Sequence, residues 1–542
     1  MKALTAAEMR EVDRLTTERF GVPSLQLMEN AGGHVAQFIL HDFSLRSHID
    51  RPKRVAVLCG KGNNGGDGFV VARLLSEEKS RFEVRVLLFA TLQELRGDAA
   101  KNYQRWKDCG GTVAVVETQA AWKDVRPQVA AADVVVDALY GTGLRGAVSG
   151  LGAQVIEDLN KISRDATSPT PALVVAVDTP SGMLSDGEPA TGPVVRAHAT
   201  VTFTAPKIGQ LIGKDAPCCG QLRVRSIGSP DALIGETGKG TIRWAGPDEF
   251  ASLPLIRAAD SHKGAFGHVL VVGGSIGKSG AAALAGYASL CGGAGLTTVA
   301  IPDVVHAIVA SAHAEYMTEP LASTQAGTIA GSNFASGRFE KVLKGKDVLA
   351  IGPGLGLQPE TQQVVQQLVR ESRVPMILDA DGLNAFAGNS GLLRERASHF
   401  LAITPHPGEM ARLLGTTSSD VQSDRVKTAT EAAKSFNAHV VLKGFHTILA
   451  APDGRIWVNT TGGPGLAKGG SGDVLTGLLA ALTAQFGTED WLRVLALGAY
   501  LHGEAGQHSL KWQDPSGELA SSAAFGIPMA RHALVQEIRF RG

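Results

Sequence analysis

One pattern recurs along this chain and limits its fold more than any other. A short apolar run is followed by a turn of glycine and polar residues, and then by helical spacing. Residues 54–59 lead into Gly60-Lys61-Gly62-Asn63-Asn64-Gly65-Gly66-Asp67-Gly68, and residues 173–177 into Asp178-Thr179-Pro180-Ser181-Gly182. Residues 348–351 lead into Gly352-Pro353-Gly354-Leu355-Gly356, 376–378 into Asp379-Ala380-Asp381, and 440–442 into Lys443-Gly444-Phe445-His446-Thr447. Such alternation predicts an α/β protein with a doubly wound sheet and helices on both faces. The 542 residues are too many for one core, so at least two domains are expected. Residues 226–240, rich in Gly, Ser, Pro and Thr, read as a linker between domains 1–225 and 241–542.

Composition excludes more than it assigns. Lys plus Arg number 52 and Asp plus Glu number 52, so a basic nucleic-acid surface and a polybasic membrane patch are not expected. Five cysteines without CxxC spacing suggest reduced thiols. The first residues run into a charged helix, with Thr5 and Glu8 at capping-box spacing, rather than an apolar signal core. No apolar run is long enough to span a bilayer. A soluble, cytoplasmic protein is expected, and a homo-oligomer.

Three stretches carry candidate chemistry. In Gly469-Gly470-Ser471-Gly472-Asp473, apolar residues follow at 474, 475, 478, 479 and 482, which predicts a helix starting near Asp473. The unpaired N–H groups of its first turn would face a phosphate across the glycine turn. Asp473 then stands either as a base beside phosphate or as an N-cap. The spacing at 60, 62 and 65 satisfies GxGxxG, but the next strand, 83–89, carries its acid at the start rather than the end. That argues against ordinary dinucleotide binding. Asn63, Asn64 and Asp67 instead offer oxygen ligands for ribose, phosphate or a hard cation. Asp137 and Asp178 close two further strands at the carboxyl edge where ligands bind, so Asn64, Asp137 and Ser181 are expected to converge on a cation and Asp178 to stand free. The Gly273–Ser279 run is one residue short of a P-loop. His406, between two prolines, and Lys443, after a strand, each fit either a site or a solvated turn.

The motifs around Leu27–Gly32, Asn63–Gly68, Asp137 with Gly141-Thr142-Gly143, Val177–Gly182 and Ala205–Gly209 occur in one order. Together they resemble the NAD(P)H-hydrate epimerase domain. The resemblance implies a Rossmann-like fold that interconverts the R and S hydrates. It implies potassium at Asn64, Asp137 and Ser181, and substrate contacts from Asn63, Asn64, Gly65, Gly66 and Asp67. Gly141, Thr142, Gly143, Leu144, Arg145, Gly146, Ala147 and Asp178 would add to these, with Asp178 as acid/base. The second half resembles the ADP-dependent NAD(P)H-hydrate dehydratases, a branch of the ribokinase-like fold. By that resemblance Ala281, Gly354, Leu355, Gly356, His406 and Asp473 meet the hydrate. Lys443, Gly444, Phe445, His446 and Thr447, with Gly469, Gly470, Ser471 and Gly472, meet ADP. Two departures are Lys468, where a small or neutral residue is expected, and Gly463, where asparagine is expected.

The expected reaction has Asp473 deprotonate the ring hydroxyl for attack on the terminal phosphorus of ADP. Magnesium shields charge, and AMP and phosphate are released. The partners are then small molecules: the hydrates of NADH and NADPH, and ADP. The rival is a ribokinase-like small-molecule kinase fused to a non-catalytic nucleotide-binding domain. A kinase would leave a phosphorylated product, whereas the dehydratase returns NAD(P)H absorbance.

Overall fold

The computed structural model describes residues 1–43, 51–164, 171–487, 489–509 and 515–541. It divides into two compact units, Met1–Thr241 and Ile242–Gly542.

The first unit is built on seven parallel strands: β1 (Lys53–Cys59), β2 (Phe82–Leu88), β3 (Val113–Val115), β4 (Val134–Ala138), β5 (Leu173–Val177), β6 (Ala199–Phe203) and β7 (Gln221–Arg225). Their order is β3-β2-β1-β4-β5-β6-β7. The order reverses between β1 and β4, and in open parallel sheets that switch point opens a ligand crevice. Asn64 follows β1, Asp137 is the penultimate residue of β4 and Asp178 follows β5, and these three strands are neighbours in the sheet.

Two sequence expectations change in this unit. The expected loop at residues 60–68 ends early, because a helix spans Asn63–Glu77 and takes in Asn63, Asn64, Gly65, Gly66 and Asp67. The glycines serve close packing rather than a flexible turn. A Cβ at Gly65 would lie 1.8 Å from the Gly60 carbonyl oxygen, and one at Gly68 would lie 2.8 Å from both Ala138 Cβ and Cys59 Sγ. The expected linker at 226–240 contains a helix, Asp231–Thr237, whose Leu233 and Ile234 are buried with Met9, Val12 and Leu15 of the first helix. Turn residues on either side of it dominate the local composition and hide this short apolar pair.

The second unit has ten strands: β8 (Ile242–Trp244), β9 (His268–Val272), β10 (Leu296–Pro302), β11 (Met317–Leu321), β12 (Val348–Ile351), β13 (Met376–Leu378), β14 (Leu401–Ile403), β15 (His439–Leu442), β16 (Thr447–Ala450) and β17 (Ile456–Asn459). The order is β11-β10-β9-β12-β13-β14-β15-β16-β17-β8, with β16 antiparallel to both neighbours and the remaining pairs parallel. The antiparallel excursion follows from the short Lys443–His446 turn, which leaves no room for a crossover helix. The helix Ser471–Phe486 packs over β9, β12 and β13 and against the small-residue helix Ser279–Cys291. Contact there is close enough that a Cβ on Gly477 would lie 2.0 Å from the Ala285 carbonyl oxygen. Among the described residues, no helix is long and apolar enough to cross a membrane.

Candidate active sites

In the first unit, Asp137 is the penultimate residue of β4, has no exposure and is held by Ser181. The Ser181 hydroxyl donates to its Oδ1 at 2.6 Å, and the Ser181 N–H donates to its Oδ2 at 2.8 Å. The Tyr140 N–H in turn donates to Ser181 Oγ at 2.9 Å. Asn64 stands against the next residue, with Oδ1 3.1 Å from where a Cβ on Gly141 would lie. Burial raises the Asp137 carboxyl to about 6, partly opposed by its bonds from Ser181. The Asn64 amide nitrogen is buried without a partner. The Asn64 amide oxygen, the Asp137 carboxylate and the Ser181 hydroxyl are oxygen donors of the kind that could hold a hard monovalent cation, whereas the unpartnered amide nitrogen is a donor and has no part in holding one.

Asp178 does not stand free, as the sequence suggested. Its Oδ1 accepts from Lys207 Nζ at 2.5 Å and from Thr202 Oγ1 at 3.0 Å, and its carbonyl accepts from Gln210 Nε2 at 2.6 Å. Lys207 is 1% exposed and also donates to Thr202 Oγ1 and the Phe203 carbonyl, so a buried ammonium takes the nearest carboxylate. Asp178 has φ +61°, a left-handed conformation uncommon for aspartate that turns its side chain out of the β5 edge. Two more acids feel these charges. Burial pushes Asp13 up to about 6 and Asp67 well above the ordinary carboxylate range. Asp13, Thr202, Lys207 and Gln210 escaped the sequence reading. Lys207 lies in the quoted Ala205–Gly209 run, but nothing in sequence spacing pairs it with Asp178.

In the second unit, Asp473 lies in the first turn of its helix, behind Gly470 at φ +94°. Burial, then the neighbouring charge of Asp379, pushes its carboxyl up to about 7, while Lys443 opposes the rise and Asp381 and Glu409 add to it. Lys443 Nζ donates to Asp379 Oδ1 at 2.7 Å and lies 3.7 Å from Glu409 Oε2. Burial works against its charge, but these acids outweigh burial and raise its pKa. Thr476 Oγ1 donates to Asp379 Oδ2 at 2.7 Å. A Cβ placed on Gly472 would lie 3.4 Å from Lys443 Nζ and 3.5 Å from Asp379 Oδ2, so ammonium, acid and helix mouth lie together.

The other predicted residues have the following neighbours. Ala281 Cβ lies 3.0 Å from where a Cβ on Gly354 would be, and Gly356 N–H donates to Asp381 Oδ2 at 2.9 Å. Lys278 reaches the same Asp381 oxygen at 3.1 Å. His406 caps the helix Pro407–Leu414: its Nδ1 accepts from the N–H groups of Gly408 and Glu409, with Nε2 3.5 Å from Glu409 Oε1. Phe445 is half exposed and stacks on His446 at 4.0 Å between ring centroids. Arg425 donates to the carbonyls of Leu442 and Phe445 and so shapes the Lys443–Thr447 turn. Lys468 is directed to the Ser516 carbonyl at 2.9 Å. Asp379 had a sequence signal: it is an acid directly after a buried strand, like Asp178.

A family profile described as YjeF-related protein N-terminus matches residues 24–209, and the profile for NAD(P)H-hydrate dehydratase matches residues 269–525. Over its whole length the chain is 41% identical to the bifunctional NAD(P)H-hydrate repair enzyme of Moorella thermoacetica, covering 99% of this chain and 98% of that one. The chain belongs to the bifunctional NAD(P)H-hydrate repair enzymes. This repair enzyme joins an epimerase to a dehydratase, an isomerase and a lyase on one polypeptide. It is 38% identical to the homonymous enzyme of Thermofilum pendens, covering 99% of this chain and 97% of that one. The crystal structure of an ADP/ATP-dependent NAD(P)H-hydrate dehydratase from Bacillus subtilis, co-crystallised with ATP and Mg2+, aligns with a TM-score of 0.46 and 28% identity, covering 54% of the repair enzyme and 98% of that chain.

Proposed function

We propose that the two sites act in sequence on hydrated NADH and NADPH, the first exchanging R and S epimers and the second dehydrating the S form at the expense of ADP. In the second unit Asp473 takes the proton of the ring hydroxyl, whose oxygen attacks the terminal phosphorus of ADP. AMP leaves. The phosphate ester then departs as inorganic phosphate, the neighbouring ring carbon loses a proton, and the double bond of NAD(P)H returns. Hydroxide is a poor leaving group and phosphate a good one, which is what the nucleotide supplies. The N–H groups of the 470–472 turn and the Lys443 ammonium face the charge that develops on phosphorus. Magnesium bound with the nucleotide's phosphates would supply further shielding of the same charge. Loop 443–447 holds the nucleotide, with the exposed Phe445 ring offering a stacking face.

In the first unit Asn64, Asp137 and Ser181 would hold potassium, which supplies a fixed positive charge at the crevice. Asp178 moves the proton through Oδ2, since Oδ1 is occupied by Lys207 and Thr202. The observation that supports the whole reading best is Asp473: a carboxyl pushed up to about 7 at the mouth of a glycine-led helix, suited to a base working at neutral pH. Asp473→Asn should abolish ADP-dependent release of NAD(P)H while epimer exchange continues at the wild-type rate. Dehydration at the wild-type rate by that variant overturns the assignment.

A further inference from the structure

Asp379 is 1% exposed, yet both of its oxygens are engaged by groups from different elements. Oδ1 accepts from Lys443 Nζ at 2.7 Å, at the end of β15. Oδ2 accepts from Thr476 Oγ1 at 2.7 Å, on the helix that carries Asp473. Thr476 lies three residues after Asp473, which puts the two side chains on one face of that helix. One buried carboxylate thus joins β13, β15 and the helix of the proposed base. A buried acid carries a desolvation cost, and a core needing only cohesion would be better served by an apolar residue. A carboxylate kept there points to a demand for charge and orientation.

We propose that Asp379 is the positioning residue of the dehydratase site: it fixes the Lys443 ammonium and the first turn of the Asp473 helix relative to each other. This rests on the dehydratase reading of that site. Among the described residues the other acid within ion-pair distance of Lys443 is Glu409 at 3.7 Å, which is too long to orient it alone. The charge of Asp379 also bears on Asp473. The groups facing Asp473 are Asp379 after β13, Asp381 in the following turn, Lys443 after β15 and Glu409 on the helix Pro407–Leu414. Lys278 engages Asp381 and His406 adjoins Glu409. His502, on the helix Trp491–Ser509, feels the Lys443 charge and is held down to about 4, first by burial, so it stays neutral at working pH. Removing the Asp379 charge therefore leaves Lys443 as the nearest strong influence and makes Asp473 easier to ionise.

The test uses full-length protein, mixed hydrates, ADP and magnesium, with NAD(P)H absorbance followed between pH 5 and 9. Asp379→Asn should lower kcat/KM for dehydration at least about tenfold on its plateau and move the acidic limb down by roughly one pH unit. Thr476→Val should lower kcat with the limb in place, and Thr476→Ser should restore it. Wild-type hydrogen-exchange protection of peptides from β9, β12 and β13 in each variant reports an intact second unit. An Asp379→Asn enzyme with the wild-type profile, or one that loses rate while its limb stays put, overturns the proposal. If Asp379→Asn shows no activity at any pH, Thr476→Val decides: a wild-type kcat overturns the role and a loss rescued by Thr476→Ser supports it. A wild-type chain that releases no NAD(P)H with ADP overturns the dehydratase reading and this role together. A wild-type chain that releases NAD(P)H beside variants that keep the wild-type rate and limb overturns the role alone.

Discussion

Replacing Lys207 by methionine tests how the first site is held. The ammonium is 1% exposed and contacts Asp178 Oδ1 at 2.5 Å, Thr202 Oγ1 at 2.7 Å and the Phe203 carbonyl at 3.2 Å. Methionine keeps most of the stem's volume, so the change is electrical rather than a cavity. Breaking a buried ion pair from one side costs about 3–5 kcal/mol, because the remaining charge is left uncompensated. The Asp178 side chain keeps 15% exposure and the Thr202 hydroxyl, which puts the expected loss near the lower end, about 3 kcal/mol. Asp178→Asn should cost a comparable amount by stranding the ammonium. The double variant should cost clearly less than the ~6 kcal/mol sum, since it strands neither charge. Hydrogen exchange of peptides from β5 and β6 reads this locally, without interference from unfolding of the second unit. Epimer exchange should fall about a hundredfold in Lys207→Met, because Asp178 loses the contact that aims it, while dehydration persists. Single losses under about 1 kcal/mol, or strictly additive losses, would refute the reasoning.

Other outcomes follow from the same geometry. Asp473 must be ionised to act, and its carboxyl sits at about 7, so protonation below that value removes the base. Dehydration kcat/KM should therefore fall about tenfold from pH 8 to pH 6, and a flat profile over that range would contradict the role. Gly65→Ala would place a Cβ 1.8 Å from the Gly60 carbonyl, forcing the Asn63–Glu77 helix off β1. A loss of at least about 1–3 kcal/mol is expected, read as a lower thermal transition of the first unit together with lost epimer exchange. Exchanging potassium for tetramethylammonium, too large for the Asn64–Asp137–Ser181 cluster, should slow epimer exchange and leave dehydration unchanged. Equal rates in both salts would count against the cation site.

Much of the architecture was legible because buried parallel strands write themselves as unbroken apolar runs. The strands at 173–177, 348–351 and 376–378 begin and end where the sequence placed them. The start of the Asn63–Glu77 helix was not legible, since glycine signals a turn by propensity but was placed there by packing against Gly60, Ala138 and Cys59. The helix at Asp231–Thr237 was lost for a similar reason, its two apolar anchors sitting among turn formers. At the sites, acids at strand ends were visible one by one. Their pairing was not, because Lys207 and Asp178 are 29 residues apart and Lys443 and Asp379 are 64 apart. No periodicity connects such partners, and only the sheet order brings them together.

Each acid draws its partners from its own unit: Lys207, Thr202 and Gln210 for Asp178, and Asp379, Lys443 and Glu409 around Asp473. A defect in one half therefore need not silence the other. A solution containing one chain disabled at Asp178 and another disabled at Asp473 should regain conversion of both epimers, because a freely diffusing hydrate can visit each in turn. The same division predicts that chains cut at the 241–242 junction, made separately and mixed, convert both epimers.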